Sequence, residues 1–303
     1  SACSRRGVND EHRPDPGSPE WCRRVSPSKV AAILSISPRD SQYAMWRKMR
    51  GEAPWDEETP AMERGTLCEP AVLAWWRKHH DHEGWEDQPS FVIGDWCVAT
   101  PDAITREGDD EVLVEAKTAA NMDDYGDPGT DAIPAYYLTQ VYFAMEVAHR
   151  AGRPVARTHV PVLGGYRMLF QSYVVEYDAK IGAEIFARME AWRDSLALDN
   201  PPPLDNSIAT YDVVRQLHPE IDRGVSVELT AKDARALVDW CDELKHTEAS
   251  VRRAKSTVID AMGRAQYATH DGVRIARRQP RGEAVTFVVV AKLADLTELG
   301  ATA

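Results

Sequence analysis

Apolar and polar positions along this chain follow two periods. From Phe91 to Thr118 (FVIGDWCVATPDAITREGDDEVLVEAKT), the apolar runs Trp96–Ala99 and Val112–Val114 are separated by polar turn signals such as Gly108-Asp109-Asp110. That stretch predicts two or three short strands. On either side the period lengthens to that of a helix. Ser26-Pro27-Ser28 predicts a helix start continued by Lys29–Leu34, and a second helix is expected over Gln42–Met49. A longer one is expected over Ala61–Lys78, with Leu67, Ala71, Ala74 and Trp75 on its apolar face. Gly65 in its middle is unfavourable by about 1 kcal/mol relative to alanine, which points to a close approach by another group.

The pattern continues beyond a polar loop over Asn121–Ile133. Pro134 opens a helix over Ala135–His149, and Arg157–Leu163 and Tyr166–Tyr177 read as strands around Gly164-Gly165. Ile181, Ile185, Met189, Trp192 and Leu196 mark an amphipathic helix over Ala179–Leu196. This order of elements predicts an α/β or α+β fold with a mixed central sheet flanked by helices. Pro201-Pro202-Pro203 reads as a boundary. After it, Leu237, Trp240 or Cys241, Leu244, Val251, Ala254, Val258 and Met262 predict a long helix over about Thr230–Ala265 with one narrow seam. Asp271-Gly272 then predicts a hairpin ending in Thr286–Val290. The expected organisation is a loose arm over 1–20, a main domain over 21–200, and a helical and hairpin extension over 204–303.

Composition narrows the classes. The chain has 303 residues, 43% hydrophobic and 28% charged, an ordinary globular profile, and it holds no apolar run long enough to span a bilayer. Five scattered cysteines argue against a disulfide framework or a zinc ribbon, and no secretory leader is visible, so a cytoplasmic location is expected. The net charge is −12, yet residues 1–50 hold ten basic and five acidic residues, and Arg274, Arg277, Arg278 and Arg281 form a second basic run. An acidic body with basic patches can still bind phosphates at those patches.

The candidate chemistry lies at the strand end. Period 2 puts Glu115 and Lys117 on one side of the strand after Val112–Val114. If the strands pair through the turn, Asp102 lies near Glu115, and two carboxylates with a lysine converge in a set suited to Mg²⁺. The spelling recurs at Pro14-Asp15, Asp178-Lys180 and Glu243-Lys245, but there without the strand–turn–strand setting. A hairpin with solvated surface charges is the plain alternative. His79-His80-Asp81-His82 has the composition of a metal site, but adjacent histidines at a helix end point in different directions, and a solvated terminus is expected. Trp75, Trp192 and Trp240 fall on apolar stripes and are expected in cores, while Trp46 and Trp96 stay open.

In order, these signals resemble the YqaJ-like phage recombination nucleases, relatives of lambda exonuclease in the PD-(D/E)xK superfamily. The similarity rests on Ser26–Leu34 followed by Ser37-Pro38 and Tyr43–Trp46, on Arg64–Pro70, on Thr100-Pro101-Asp102 with Glu115-Ala116-Lys117, and on Tyr137–Gln140. It covers about residues 21–197. The family's Gly-rich lead-in is replaced here by Arg23–Pro27.

The resemblance implies a PD-(D/E)xK nuclease core and Mg²⁺-dependent hydrolysis of DNA, with Mn²⁺ as a substitute. By that likeness Asp102, Glu115 and the Ala116 carbonyl hold metal, with Glu69 as an outer ligand. Lys117 orients water, Gln140 hydrogen-bonds water or phosphate, and Arg24 with Ser28 receives a 5′-phosphate. The implied activity is 5′-to-3′ exonuclease action on linear duplex DNA that leaves 3′ single-stranded tails for an annealing protein. A homotrimer in a bacterial or phage-infected cytoplasm is implied too. A structure-specific or restriction-type endonuclease, or a non-catalytic DNA-binding scaffold of the same fold, are the rival readings.

Overall fold

The computed structural model describes residues 18–165, 167–282 and 284–291. Most of the expected arm over residues 1–20 lies outside the described residues, as does the first position of the expected strand Tyr166–Tyr177. The chain forms two compact units, Ser1–Ile221 and Asp222–Ala303.

The first unit opens with three short helices, α1 (Pro19–Arg23), α2 (Pro27–Ile33) and α3 (Gln42–Met49), followed by the long α4 (Pro60–His79). Strands β1 (Glu83–Asp87), β2 (Phe91–Ile93), β3 (Cys97–Ala99), β4 (Ala103–Glu107), β5 (Asp110–Val114) and β6 (Lys117–Ala119) come next. Helix α5 (Ala135–Arg150), strands β7 (Arg157–Gly164) and β8 (Leu169–Glu176), and helices α6 (Ala179–Leu196) and α7 (Ile208–Leu217) complete it. Local chemistry sets several helix starts. The Ser41 hydroxyl accepts from Ala44 N–H, the Thr59 hydroxyl from Met62 N–H, and the Asp178 carboxylate from Lys180 and Ile181 N–H.

The main sheet is mixed. β4 pairs antiparallel with β1 and β5, while β5 and β6 both run parallel to β7, which pairs antiparallel with β8. β2 and β3 form a separate ribbon. The β4–β5 turn is two residues, Gly108-Asp109, with Gly108 at a φ of 61° that a side chain would resist. Ile104, Leu113, Val160, Val162 and Tyr173 pack with α2, α5 and α6 through Val30, Phe143, Met145, Phe186 and Met189. On the opposite face, Ala103 and Val114 pack with Trp76 of α4. Helices therefore cover both faces of the sheet, giving the expected mixed α/β architecture. No helix among the described residues is long and apolar enough to cross a membrane.

Several expectations are corrected. Leu67, Ala71 and Ala74, read as the apolar face of α4, are exposed, with Leu67 at 73%. The inward side carries Val72 and Trp76, preceded by half-buried Gly65, Cys68 and Glu69. Its N-terminal half is small or polar where it crosses the strand end, so hydrophobic periodicity selects the wrong side. A Cβ on Gly65 would meet Thr118 Oγ1 at 3.9 Å, ordinary van der Waals contact, so the fold itself does not require glycine there.

The Pro201–Pro203 run is not where the compact units divide. α7 lies beyond it in the first unit, with Val213 buried against Tyr43, Ala44 and Ala53, and Ser41 Oγ bonded to Thr210 Oγ1 at 2.7 Å. β1, α1 and α7 have no counterpart among the predicted elements. β1 (Glu-Gly-Trp-Glu-Asp) is a polar edge strand with no apolar alternation to reveal it.

Trp46 is fully buried, and Trp96 packs edge-on to Phe186 at 5.4 Å. In the histidine run His79 and Asp81 are exposed, as expected of a solvated terminus, while His80 stacks on the Trp76 ring at 4.6 Å, and His79, His80 and His82 each bond a backbone carbonyl through Nδ1.

The second unit contains α8 (Ala231–Met262) and a three-stranded sheet of β9 (Tyr267–His270), β10 (Val273–Arg281) and β11 (Ala284–Val289), in the order β11-β10-β9. The helix and the Asp271-Gly272 turn match the predicted elements. Trp240, expected in a core, is 73% exposed.

Candidate active site in a broken strand

β5 and β6 are two pieces of one strand. Val114 is in register with His159 and Lys117 with Val162, so the interruption at Glu115-Ala116 inserts and deletes nothing relative to β7. Glu115 N–H still donates to the His159 carbonyl at 2.9 Å. The neighbouring N–H, on Ala116, points to the opposite side, where β4 has ended. It donates instead to Asp102 Oδ2 at 2.7 Å. The β4–β5 register, Ala103 with Val114, extends by one step to Asp102 beside Glu115. A side chain thus satisfies a backbone donor that the ladder cannot.

Alternation assigns the faces. Leu113 lies on the α5 side, so Glu115 and Lys117 follow it, whereas Thr118 lies toward Gly65 of α4. Lys117 Nζ donates to Glu115 Oε1 at 2.7 Å, and Gln140 Nε2 of α5 donates to the same oxygen at 2.7 Å. Among the described residues, Glu115 Oε2 and Asp102 Oδ1 receive no hydrogen bond. Each carboxylate is therefore oriented through one oxygen and left with the other free, the arrangement that outer contacts give to metal ligands.

Charge is concentrated here. Burial, then the adjacent Glu115 carboxylate, pushes Asp102 well above the usual carboxylate range, against the opposing pull of Lys117. Burial and then Glu115 likewise raise Glu69, which reaches the site from α4. Burial lowers Lys117, but Glu115 and Asp102 outweigh it, and the ammonium is held above its ordinary value. Crowded, partly desolvated carboxylates of this kind are relieved by a cation.

No three His, Cys, Asp or Glu side chains among the described residues converge on one metal position, the histidine run included. The donors that fit a hard divalent ion are the free oxygens of Asp102 and Glu115 with the Ala116 carbonyl, the remaining coordination being completed by water.

The site opens into a cavity of about 720 Å³ between α2, α4 and α5. Glu69, Ala116, Lys117, Gln140 and Ser28 line it, with Tyr136 and Tyr137 from α5. Arg24 does not. Its guanidinium is buried, paired with Glu20, and lies beside Cys97. The cavity's arginines are the exposed Arg39 and Arg64. Sequence reasoning passed over both because neither stands next to Ser28 in the chain, although Arg64 opens the family-like Arg64–Pro70 segment.

With this geometry in view, residues 20–151 match the model of the YqaJ-like viral recombinase domain. The matched segment contains α4, the broken strand and the Gln140 helix, while β7 and β8 lie beyond it. The uncharacterized protein YqaJ of Bacillus subtilis is 21% identical over 265 residues, covering 82% of this chain and 79% of its own length. The crystal structure of an alkaline exonuclease, LHK-Exo from Laribacter hongkongensis, aligns with a TM-score of 0.44 at 19% identity, over 58% of this chain and 89% of that one. A phage-related exonuclease from Haemophilus somnus aligns with a TM-score of 0.36 at 10% identity, over 57% of this chain and 93% of its own.

Proposed function

We propose that this chain is a divalent-metal-dependent deoxyribonuclease that degrades one strand of linear duplex DNA from its 5′ end, leaving a 3′ single-stranded tail for recombination. The observation that carries this reading is the strand interruption at Glu115-Ala116, which leaves two oriented carboxylates each with a free oxygen beside Lys117. The match of residues 20–151 to the YqaJ-like viral recombinase domain supports DNA as the substrate, and the recipient of the tail would be a single-strand annealing protein.

Asp102, Glu115 and the Ala116 carbonyl would hold Mg²⁺, or Mn²⁺ in its place, with Glu69 contacting it through water. A divalent ion bound there supplies Lewis acidity toward water and phosphate. Lys117, fixed by Glu115, presents an ammonium to the scissile phosphate's oxygens and orients the attacking water. Gln140 holds Glu115 in place and can pass a hydrogen bond to water. Ser28 remains a candidate contact for a 5′-phosphate. Arg39 and Arg64 replace Arg24 as its guanidinium partners, because they reach the cavity and have no ion-pair partner among the described residues.

The test uses end-labelled linear duplex, with and without a 5′-phosphate, beside a closed circle, each with Mg²⁺ and wild type or Lys117→Ala. Release of nucleotides from the phosphorylated linear end alone is expected, with the variant slowed by about 10²-fold or more. Cutting of the circle would identify an endonuclease instead. Duplex binding without cleavage of any substrate would identify a scaffold.

A further inference from the structure

The sheet of the second unit gathers arginines on one face. Residues 264–282 hold five arginines and one aspartate, in a chain of net charge −12. Plain alternation along β10 would put Arg274 and Arg277, three positions apart, on opposite faces. The pairing with β9 does not. Arg274 lies opposite Thr269, Ala276 opposite Ala268 and Arg277 opposite Tyr267, which leaves Ile275 over as a bulge. Residues opposite one another share a face, and Thr269 and Tyr267 are two apart in β9. The bulge therefore brings Arg274 to the side of Arg277, where its guanidinium lies over the Tyr267 ring at 4.1 Å. Gln279 and Arg281 follow Arg277 by alternation.

The other face belongs to α8. Arg278 lies on it with Ala276 and donates to the carbonyl of Gly263, the residue that caps α8, at 2.5 Å. Arg274, Arg277 and Arg281 thus stand on the side turned away from their own helix. The ion pairs of this unit among the described residues are His246 with Asp242, Arg252 with Glu248 and His270 with Asp271, and none involves those three arginines. Like charges collected this way repel, and an anion relieves them.

We propose that this face binds the phosphate backbone of duplex DNA, as a contact additional to the broken strand of the first unit. The occupant rests on the reading of the chain as a nuclease of duplex DNA. Charge selects a polyanion, and arginine and glutamine side chains hold phosphate oxygens without reading sequence. From Arg274 to Arg281 the strand runs about 20 Å, enough for each arginine to take its own phosphate. The ring selects duplex over single strand. Single-strand sites offer aromatic rings to unpaired bases, whereas here Arg274 covers Tyr267, the one ring on this face among the described residues. A backbone contact of this kind would keep the chain on its duplex as the end recedes.

Binding of the full chain to a duplex closed by a hairpin loop at each end is measured by fluorescence anisotropy in EDTA, over a titration of KCl. With neither a 5′ end nor metal, cleavage plays no part. Arg274→Gln/Arg277→Gln/Arg281→Gln should bind about tenfold or more weaker, and its slope of log K against log salt should be shallower by about 3, one contact per arginine. Arg277→Gln alone should make it shallower by about 1. The triple lysine variant at the same positions should keep the wild-type slope, because the charges remain. Lys232→Gln/Arg235→Gln/Lys245→Gln, on α8, removes as much charge and should keep the wild-type slope too. An unchanged slope in the glutamine variants of the sheet would overturn the proposal. An equal loss in the α8 variant would also overturn it, reducing the effect to net charge, and so would a larger loss on a single strand of the same sequence. Cleavage of linear duplex in Mg²⁺ is followed in parallel. A chain that cuts while its sheet variant keeps the slope defeats this inference alone, and a chain that cuts nothing defeats the nuclease reading while the slope still decides this one.

Discussion

Two helices wall the candidate site, and they are built in opposite ways. α5 buries Val141 through Ala148 without a break, and Gln140 extends from that packed body to Glu115. α4 buries only Val72 and Trp76, contains Gly65 and Pro70 in its interior, and sets Glu69 between them. Pro70 removes the bond its N–H would have made to Thr66, and Gly65 loosens the turn before it. Local preference, periodicity and burial agree throughout α5 and conflict along the half of α4 that passes the site. Such a conflict is where function is paid for in stability. α5 is the closely packed wall of the site and α4 the loosely packed one.

The largest effect expected from breaking that contrast is on stability at α5. Phe143→Ala, at a fully buried position, should destabilise by about 3–5 kcal/mol in urea unfolding. Glu69→Gln, on the other wall, should leave the urea midpoint within about 0.5 kcal/mol of wild type while cleavage falls. Equal losses of stability at both positions would erase the distinction. Gly65→Ala sharpens it further. The space beside Gly65 admits a methyl group, so helix propensity should stabilise α4 by up to about 1 kcal/mol, while the duplex cleavage rate drops because the group projects toward the cavity. A variant as active as wild type would remove the case for space at Gly65.

A smaller effect concerns α2, which packs against α5 and holds a buried lysine of its own. Lys29 Nζ donates to the Trp21, Cys22 and Arg24 carbonyls and sits over the Trp21 ring at 4.1 Å, with no carboxylate among those contacts. Burial lowers it to about 7, whereas Lys117, beside Glu115 and Asp102, moves the opposite way. With the folded value below the unfolded one, the unfolded chain binds more protons between about 7 and 10.5. Stability should therefore rise with pH across that window, and the slope should be shallower in Lys29→Met. Urea midpoints at pH 7, 8 and 9 would check it, and parallel slopes would refute it.

Much of this was legible from the chain. The Gly108-Asp109 turn was legible, but the strand it joins to β5 is β4, not the apolar run Trp96–Ala99, which pairs with β2 in a separate ribbon; Asp102 reaches Glu115 as the residue before β4. The errors have physical causes. The inward face of α4 is polar near the site, so an apolar stripe at Leu67, Ala71 and Ala74 pointed outward. Arg24 stands four residues before Ser28 in sequence, but the bridge from Val25 to Cys97 turns it into the interior. Trp240 fits a seam in spacing, and spacing alone does not say which molecule covers it.

The measurement that tests the central claim most directly is calorimetric titration of Mn²⁺ into wild type and Asp102→Asn, without DNA. Asparagine can still accept from Ala116 N–H, so the strand interruption is kept while one charged ligand is lost. The account predicts saturable binding by wild type and at least a tenfold weaker association in the variant, with the two melting alike without metal. Identical binding by both proteins would contradict it and move the metal away from the broken strand.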